Sequence, residues 1–366
     1  MKHNALQHIF DVTPYTPGKP IDEVKRELGL DQVIKLASNE SPYGPSPKVL
    51  KALVQQAKNV NRYPDGGCYN LREALAQRLK VDPHQLIFGN GSDEIIVMAI
   101  RAFVGKSDEV VMARPSFLIY DIASRLAGAR IRAVPLQDFC YDLEGMSRAV
   151  TRKTKIVFIG NPDNPAGTFV SHSDLEAFLN GIRRDVLVFI DEAYYEYVHD
   201  PAYPDSLQLL KSYPNLMIAR TFSKMYGLAG LRVGYGVAQA DVIDIVNRLR
   251  EPFNVNSLAQ AAALACLQDQ DYYRRIAQEV EKERQFLYRQ FERLGLSCVR
   301  TVTNFVLVHI PQGPEELAQQ LLKKGVIVRD MKAWGLNTYI RVTIGKPSEN
   351  RLMVKALRDV LEGKNK

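Results

Sequence analysis

From residue 46 to about residue 250, short apolar runs alternate with stretches whose apolar residues recur at helical spacing. The runs are Leu86–Phe88, Glu109–Met112, Arg130–Val134, Lys155–Ile159, Val186–Ile190, Leu216–Ala219 and Val233–Val237. Amphipathic stretches such as Asp93–Phe103, Phe117–Ala127 and Asp174–Ile182 lie between them. Ser46-Pro47 opens a further helix through Val60, with a hydroxyl cap followed by proline at the first helical position. Continuous apolar strands separated by helices predict an α/β unit, its mostly parallel sheet covered on both faces. Ligands of such sheets bind beyond the carboxyl ends of the strands, so residues that carry chemistry are expected just after the runs.

The texture changes after Pro252. Two long helical stretches, about 257–268 and 271–294, precede strands at Phe305–Ile310, Val326–Val328 and Tyr339–Thr343, with helices near 314–324 and 348–361. This reads as a smaller α+β unit. The first ~30 residues, with Pro14, Pro17, Gly18 and Pro20, read as an extended arm and a short helix that pack on the C-terminal unit or on a partner subunit. The expected division is a large domain over 34–252 and a small one from 1–33 and 253–366.

Composition narrows the class. With 366 residues, 46% hydrophobic and 24% charged, the chain suits a two-domain globular protein. MKHNALQHIF lacks the apolar core and cleavage site of a signal peptide, and no run reaches the length of a membrane span. Cys68, Cys140, Cys266 and Cys298 are scattered without metal spacing, as expected for reduced thiols, so a cytoplasmic location is expected. The net charge of +7 is interspersed with acids and forms no nucleic-acid stripe, though it favours small anions.

Five segments carry candidate chemistry. Thr221-Phe222-Ser223-Lys224, with Arg232 beyond it, follows the run Leu216–Ala219 in a loop rich in small residues. A lysine there can form a Schiff base with an aldehyde cofactor, while the hydroxyls and Arg232 hold a phosphate; a solvated loop lysine is the plain alternative. Asp191 ends the run Val186–Ile190, where a carboxylate can pair with a pyridinium nitrogen or simply cap a helix; Tyr194 follows three residues on. Asn161-Pro-Asp-Asn-Pro-Ala-Gly167 follows another strand, and its Asn161 amide is placed to face ring and substrate. Gly89-Asn-Gly91-Ser92-Asp93-Glu94 opens a helix whose free N–H groups suit a phosphate, whereas a dinucleotide fingerprint fails at Glu94. Phe117 can stack on a planar ring or belong to the core.

Taken in order, these segments resemble the fold-type-I pyridoxal-phosphate aminotransferases over nearly the whole chain. Within that superfamily the chain most resembles the histidinol-phosphate aminotransferases. Pro14-Tyr15-Thr-Pro-Gly-Lys19, Leu36-Ala-Ser-Asn39-Glu-Ser-Pro-Tyr-Gly44, Asn61-Arg-Tyr63-Pro64, Arg250-Glu-Pro-Phe-Asn254, Asn304-Phe-Val-Leu, Val328-Arg329-Asp330 and Ile340-Arg341-Val-Thr-Ile-Gly345 carry that likeness. It departs at Ser41, Asp163 and Ala166, where many relatives carry Asn, Asn and Thr, which bears on fine substrate preference.

The resemblance implies pyridoxal 5'-phosphate as cofactor, with Lys224 as its lysine and Asp191 on the ring nitrogen. Asn161 and Tyr194 would serve the phenolate side, and Ser92, Asp93, Ser223 and Arg232 the phosphate. It also implies a homodimer in which Tyr63 reaches the neighbouring subunit's cofactor phosphate. The implied reaction moves the amine of histidinol phosphate to 2-oxoglutarate, giving glutamate. Arg341 matches the family's substrate arginine, and a phosphate dianion is better met by two cations, which makes Arg329 the natural second, with Tyr15 adding a hydroxyl. Aromatic amino-acid aminotransferases and threonine-phosphate decarboxylases are the alternatives on the same scaffold.

Overall fold

The computed structural model describes residues 4–311 and 313–363. Its strands in chain order are β1 (Ile34–Leu36), β2 (Leu86–Gly89), β3 (Glu109–Arg114), β4 (Arg130–Pro135), β5 (Thr154–Gly160), β6 (Leu187–Asp191), β7 (Leu216–Thr221), β8 (Gly234–Ala238), β9 (Phe305–His309), β10 (Val326–Asp330) and β11 (Tyr339–Thr343). The large sheet runs β2-β8-β7-β6-β5-β3-β4, and β8 alone is antiparallel to its neighbours.

Both faces of this sheet are covered, which is why its strands read as unbroken apolar runs. Ile156, Phe158, Phe189 and Met217 face one way and pack with Ile95, Ile96 and Met98 of helix Ser92–Phe103. Val157, Ile159, Val188, Ile190 and Ile218 face the other way, among Leu175, Phe178, Leu209 and Ala262 from helices that follow β5, β6 and β8 in the chain. Truncating a fully buried ring such as Phe158 to alanine costs about 3–5 kcal/mol.

The smaller sheet is β1-β10-β11-β9. β1, which the sequence reading did not single out and which opens the range expected for the large domain, pairs in parallel with Val326–Val328 of the smaller sheet. Its three residues cannot form a ladder alone, and their partner lies almost the length of the chain away. Helix Pro47–Gln56 starts where the Ser46 cap predicts, with Ser46 Oγ accepting from Val49 N, but gives way to a 3-10 turn before Val60. Helix Tyr69–Leu79 has no counterpart in the pattern reading.

Candidate active site

The carboxyl ends of β3, β5, β6 and β7, together with the N-terminus of helix Ser92–Phe103, open on a cavity of about 520 Å³. Tyr15, Ser92, Asp93, Phe117, Asp191, Tyr194, Ser223, Lys224 and Arg232 line it. Nine of the residues selected from sequence thus meet in one place.

Lys224 leaves β7 through a tight turn: Ser223 N donates to Thr221 Oγ1 at 3.1 Å and Gly227 N to the Lys224 carbonyl at 3.2 Å. Its Nζ reaches the Ser38 carbonyl at 3.4 Å and stands 5.7 Å from the centre of the Tyr194 ring. The Tyr194 hydroxyl accepts from buried Asn39 Nδ2 at 2.9 Å, and Asn39 N donates to Thr343 Oγ1 on β11. The ring therefore sits where both sheets meet.

An anion-binding corner lies across the cavity. Gly91 takes φ +87°, and a Cβ there would stand 2.5 Å from Arg232 Nη2; a Cβ at Gly234 would stand 2.5 Å from Ser92 N. Glycine at both positions keeps the first N–H groups of helix Ser92–Phe103 open beside the guanidinium, at the positive end of the helix dipole. Arg232 pairs with Asp93 at 3.2 Å, and Ser223 completes the corner.

Asp191 ends β6 at the cavity wall, nearly inaccessible. Its Oδ2 accepts from Tyr120 Oη at 2.8 Å and its Oδ1 from Ala193 N at 3.1 Å. Burial pushes its carboxyl up to about 6 despite the Tyr120 bond; Asp93 adds to the rise, while Ala193 N and Lys224 oppose it. A carboxylate desolvated in this way is suited to a cationic N–H partner.

The Asn161 loop differs from expectation. Asn161 is fully buried and its amide is spent on Val170, with Oδ1 accepting from Val170 N at 2.8 Å and Nδ2 donating to the Val170 carbonyl at 3.2 Å. Asn164, three residues on, lines the cavity and accepts from Arg341 Nη1. The loop's first amide closes its own neck, and the second faces the site.

Arg341 lies buried behind this wall, giving Nη2 to the Ala37 carbonyl, while its Nε has no partner among the described residues. Arg329 is its direct cross-strand neighbour in the β10–β11 ladder. Arg329 donates to the Thr16 carbonyl at 2.9 Å and lies 5.7 Å from the Tyr15 ring, so the arm is drawn over the site. Both guanidiniums approach the ring of Trp334, at 5.2 and 5.6 Å. Tyr63 lies outside its own chain's cavity, 82% exposed and stacked on Phe253 at 4.7 Å.

A family described as aminotransferase class I and II matches residues 31–357. The chain belongs to this aminotransferase family. Its similarity to the histidinol-phosphate aminotransferase of Moorella thermoacetica is 48% identity over 354 residues, covering 96% of this chain and 92% of that one. With the enzyme of the same name from Brevibacillus brevis it shares 46% identity, over 98% of each chain. The fold matches a histidinol-phosphate aminotransferase from Sinorhizobium meliloti, solved in complex with pyridoxal-5'-phosphate, with a TM-score of 0.90. That match has 29% identity and covers 99% of this chain and 98% of that one.

Several residues of the aminotransferase site escaped the sequence reading. Tyr120 falls on an amphipathic helix and scans as core, which it also is, stacked on Phe158 at 4.6 Å. Asn39 had a signal only in the quoted motif around it, and Asn164 only in sharing a loop with Asn161. Among the described residues no cluster of three or more His, Cys, Asp or Glu could hold a metal. No described helix is long and apolar enough to cross a membrane.

Proposed function

We propose that this aminotransferase moves the amino group of L-histidinol phosphate to 2-oxoglutarate, giving imidazole acetol phosphate and glutamate in histidine biosynthesis. The observation that carries the substrate is the direct opposition of Arg329 and Arg341 across β10 and β11. Like charges opposed on neighbouring strands repel, so the pair is stable work for a dianion such as a phosphate monoester rather than for a single carboxylate.

The residues present fit pyridoxal phosphate. The glycine-lined corner would take its phosphate on Ser92, Asp93, Ser223 and Arg232, Phe117 would cover a ring face, and Asp191 would meet the ring nitrogen. When bound, the cofactor supplies an aldehyde that exchanges amino groups and a ring that draws electrons from the substrate. Asp191 would keep its charge against burial by meeting that ring's N–H, and Tyr120 fixes the carboxylate's orientation. Asn164 and Tyr194 would serve the phenolate side of the ring, and Asn164 is itself held by Arg341. Lys224 Nζ takes the proton from the amine-bearing carbon of the substrate, acting as general base and then as acid. Arg341, Arg329 and Tyr15 hold the anionic end, and the arm excludes water above it.

The working unit is a homodimer in the cytoplasm. Tyr63, Leu50, Val54, Val60 and Tyr69 leave apolar surface exposed, which supports a partner there, and Tyr63, outside its own chain's cavity, would serve the second copy's phosphate corner. Incubation with histidinol phosphate and 2-oxoglutarate should form glutamate in proportion to amine consumed. Carbon dioxide release from threonine phosphate without an acceptor would move the lyase reading ahead.

A further inference from the structure

A transaminase presents one cavity to two unlike substrates in turn. Resting on the function proposed above, both bring their reacting carbon to Lys224, amine-bearing in the donor and a ketone in the acceptor, and an anionic branch to the arginines. The remaining branch is an imidazole in one substrate and a distal carboxylate in the other. A wall that suits only an N–H donor rejects the carboxylate, and a lone cation wastes the imidazole's hydrogen bond.

The charged groups of the cavity wall are mostly committed. Asp93 pairs with Arg232, Asp191 with Tyr120, and Asp163 with Tyr141 and Ala166 N. Lys35 and Glu40 line the same cavity and, among the described residues, pair only with each other, Lys35 Nζ standing 3.0 Å from both Glu40 carboxylate oxygens. Lys35 is the middle residue of β1; its neighbours Ile34 and Leu36 are buried, so alternation turns Lys35 toward the cavity face. The pair brackets Ser38, whose carbonyl touches Lys224, and a Cβ at Gly18 would span Ser38 Oγ at 3.7 Å and Arg329 Nη1 at 3.9 Å. The pair thus shares the cavity wall with the reacting amine, and Gly18 on the same wall borders Arg329.

We infer that Lys35 and Glu40 form a two-way selector, Glu40 accepting the imidazole N–H of the donor substrate and Lys35 holding the distal carboxylate of the acceptor. The arithmetic of donors allows both without breaking the pair. An ammonium has three N–H groups and a carboxylate about four lone-pair positions, so each keeps its ion mate while serving a ligand. Nothing has to move between half-reactions. Lys35 is the better buried of the two, its side chain 19% exposed against 43% for Glu40.

The test uses the cofactor-loaded enzyme with Glu40→Gln and Lys35→Met, each half-reaction measured separately. Calorimetric titration with glutarate, an unreactive dicarboxylate, adds a readout independent of turnover. Glu40→Gln should raise KM for histidinol phosphate about tenfold and leave glutarate binding intact. Lys35→Met should weaken glutarate and 2-oxoglutarate about tenfold while changing KM for histidinol phosphate less than about threefold. In the exchanged variant, Lys35→Glu with Glu40→Lys, the ion pair persists but donor and acceptor trade places, so both KM values stay raised. Recovery of both in that variant would make the pair a structural brace, and equal losses on both substrates in the single variants would also overturn the inference. Failure of the wild type to use histidinol phosphate at all would instead bring down the substrate assignment and the selector with it.

Discussion

Asp163 offers a perturbation whose sign and size follow from its surroundings. It is 1% exposed, and its Oδ1 accepts from Tyr141 Oη at 3.2 Å while its Oδ2 accepts from Ala166 N at 2.8 Å. These bonds and the charge of Arg341 favour the carboxylate, but burial outweighs them and pushes the carboxyl up to about 7. Below the unfolded value near 4 both states hold the proton, and Asp163 is neutral to stability. Between about 4 and 7 the unfolded chain gives up its proton while the folded chain keeps it, so stability falls as pH rises, and above 7 the loss is complete. The ceiling is roughly 4 kcal/mol, and water entry and relaxation leave about 2. Asp163→Asn removes the charge and keeps the bonds: Asn Oδ1 accepts from Ala166 N, and Nδ2 donates to Tyr141 Oη, whose hydrogen turns to Ser116 Oγ at 3.3 Å. Thermal unfolding of the loaded enzyme should show the variant level with wild type near pH 4.5 and about 2–4 °C above it at pH 8. A gap that does not change with pH, or a variant less stable at pH 8, would refute the reasoning.

Four further outcomes follow from the site. Borohydride treatment should fix the cofactor covalently to Lys224, and Lys224→Ala should bind cofactor without covalent trapping while losing at least about 10³-fold in kcat; an adduct mapped to another lysine would remove its role. Tyr120→Phe deletes one of the two bonds that orient Asp191, so kcat should fall about tenfold and the cofactor's absorbance should titrate at a shifted pH. Arg329→Ala should raise KM for histidinol phosphate by the equivalent of about 2–5 kcal/mol and affect phenylalanine far less; equal losses would make Arg329 a structural tether of the arm at Thr16. Mixing Lys224→Ala subunits with Tyr63→Ala subunits should restore part of the activity that each homodimer lacks, and light scattering that finds an active monomer would end the shared-site account.

How far the sequence was legible depended on the range of the interaction. Runs such as Lys155–Ile159 and Val186–Ile190 announce buried parallel strands because both faces are covered, and the residues just past them line the cavity as strand-end logic requires. What failed was whatever a distant partner decides. Asn161 and Asn164 share a loop and a residue type; the choice between them is made by Val170 closing the neck and by Arg341, 177 residues away, seizing the second amide. Tyr120 sits on a helix read for its apolar stripe, and its hydroxyl gains meaning only from Asp191, 71 residues on. Ile34–Leu36 is too short to show which sheet it joins, and its ladder with Val326–Val328 is invisible to any periodicity. Lys35 lies outside the quoted motifs and Glu40 was quoted only as part of Leu36–Gly44, with no role of its own, so only the cavity wall sets them apart from the other charged side chains.

The central claim is that the Arg329–Arg341 pair selects a phosphate monoester, and the ratio of kcat/KM for histidinol phosphate to that for phenylalanine tests it most directly. With 2-oxoglutarate as common acceptor, the expected ratio is at least about 10², the worth of a second charge-assisted contact in a partly buried site. A ratio near one, or one favouring phenylalanine, would contradict the account and make this an aromatic amino-acid aminotransferase.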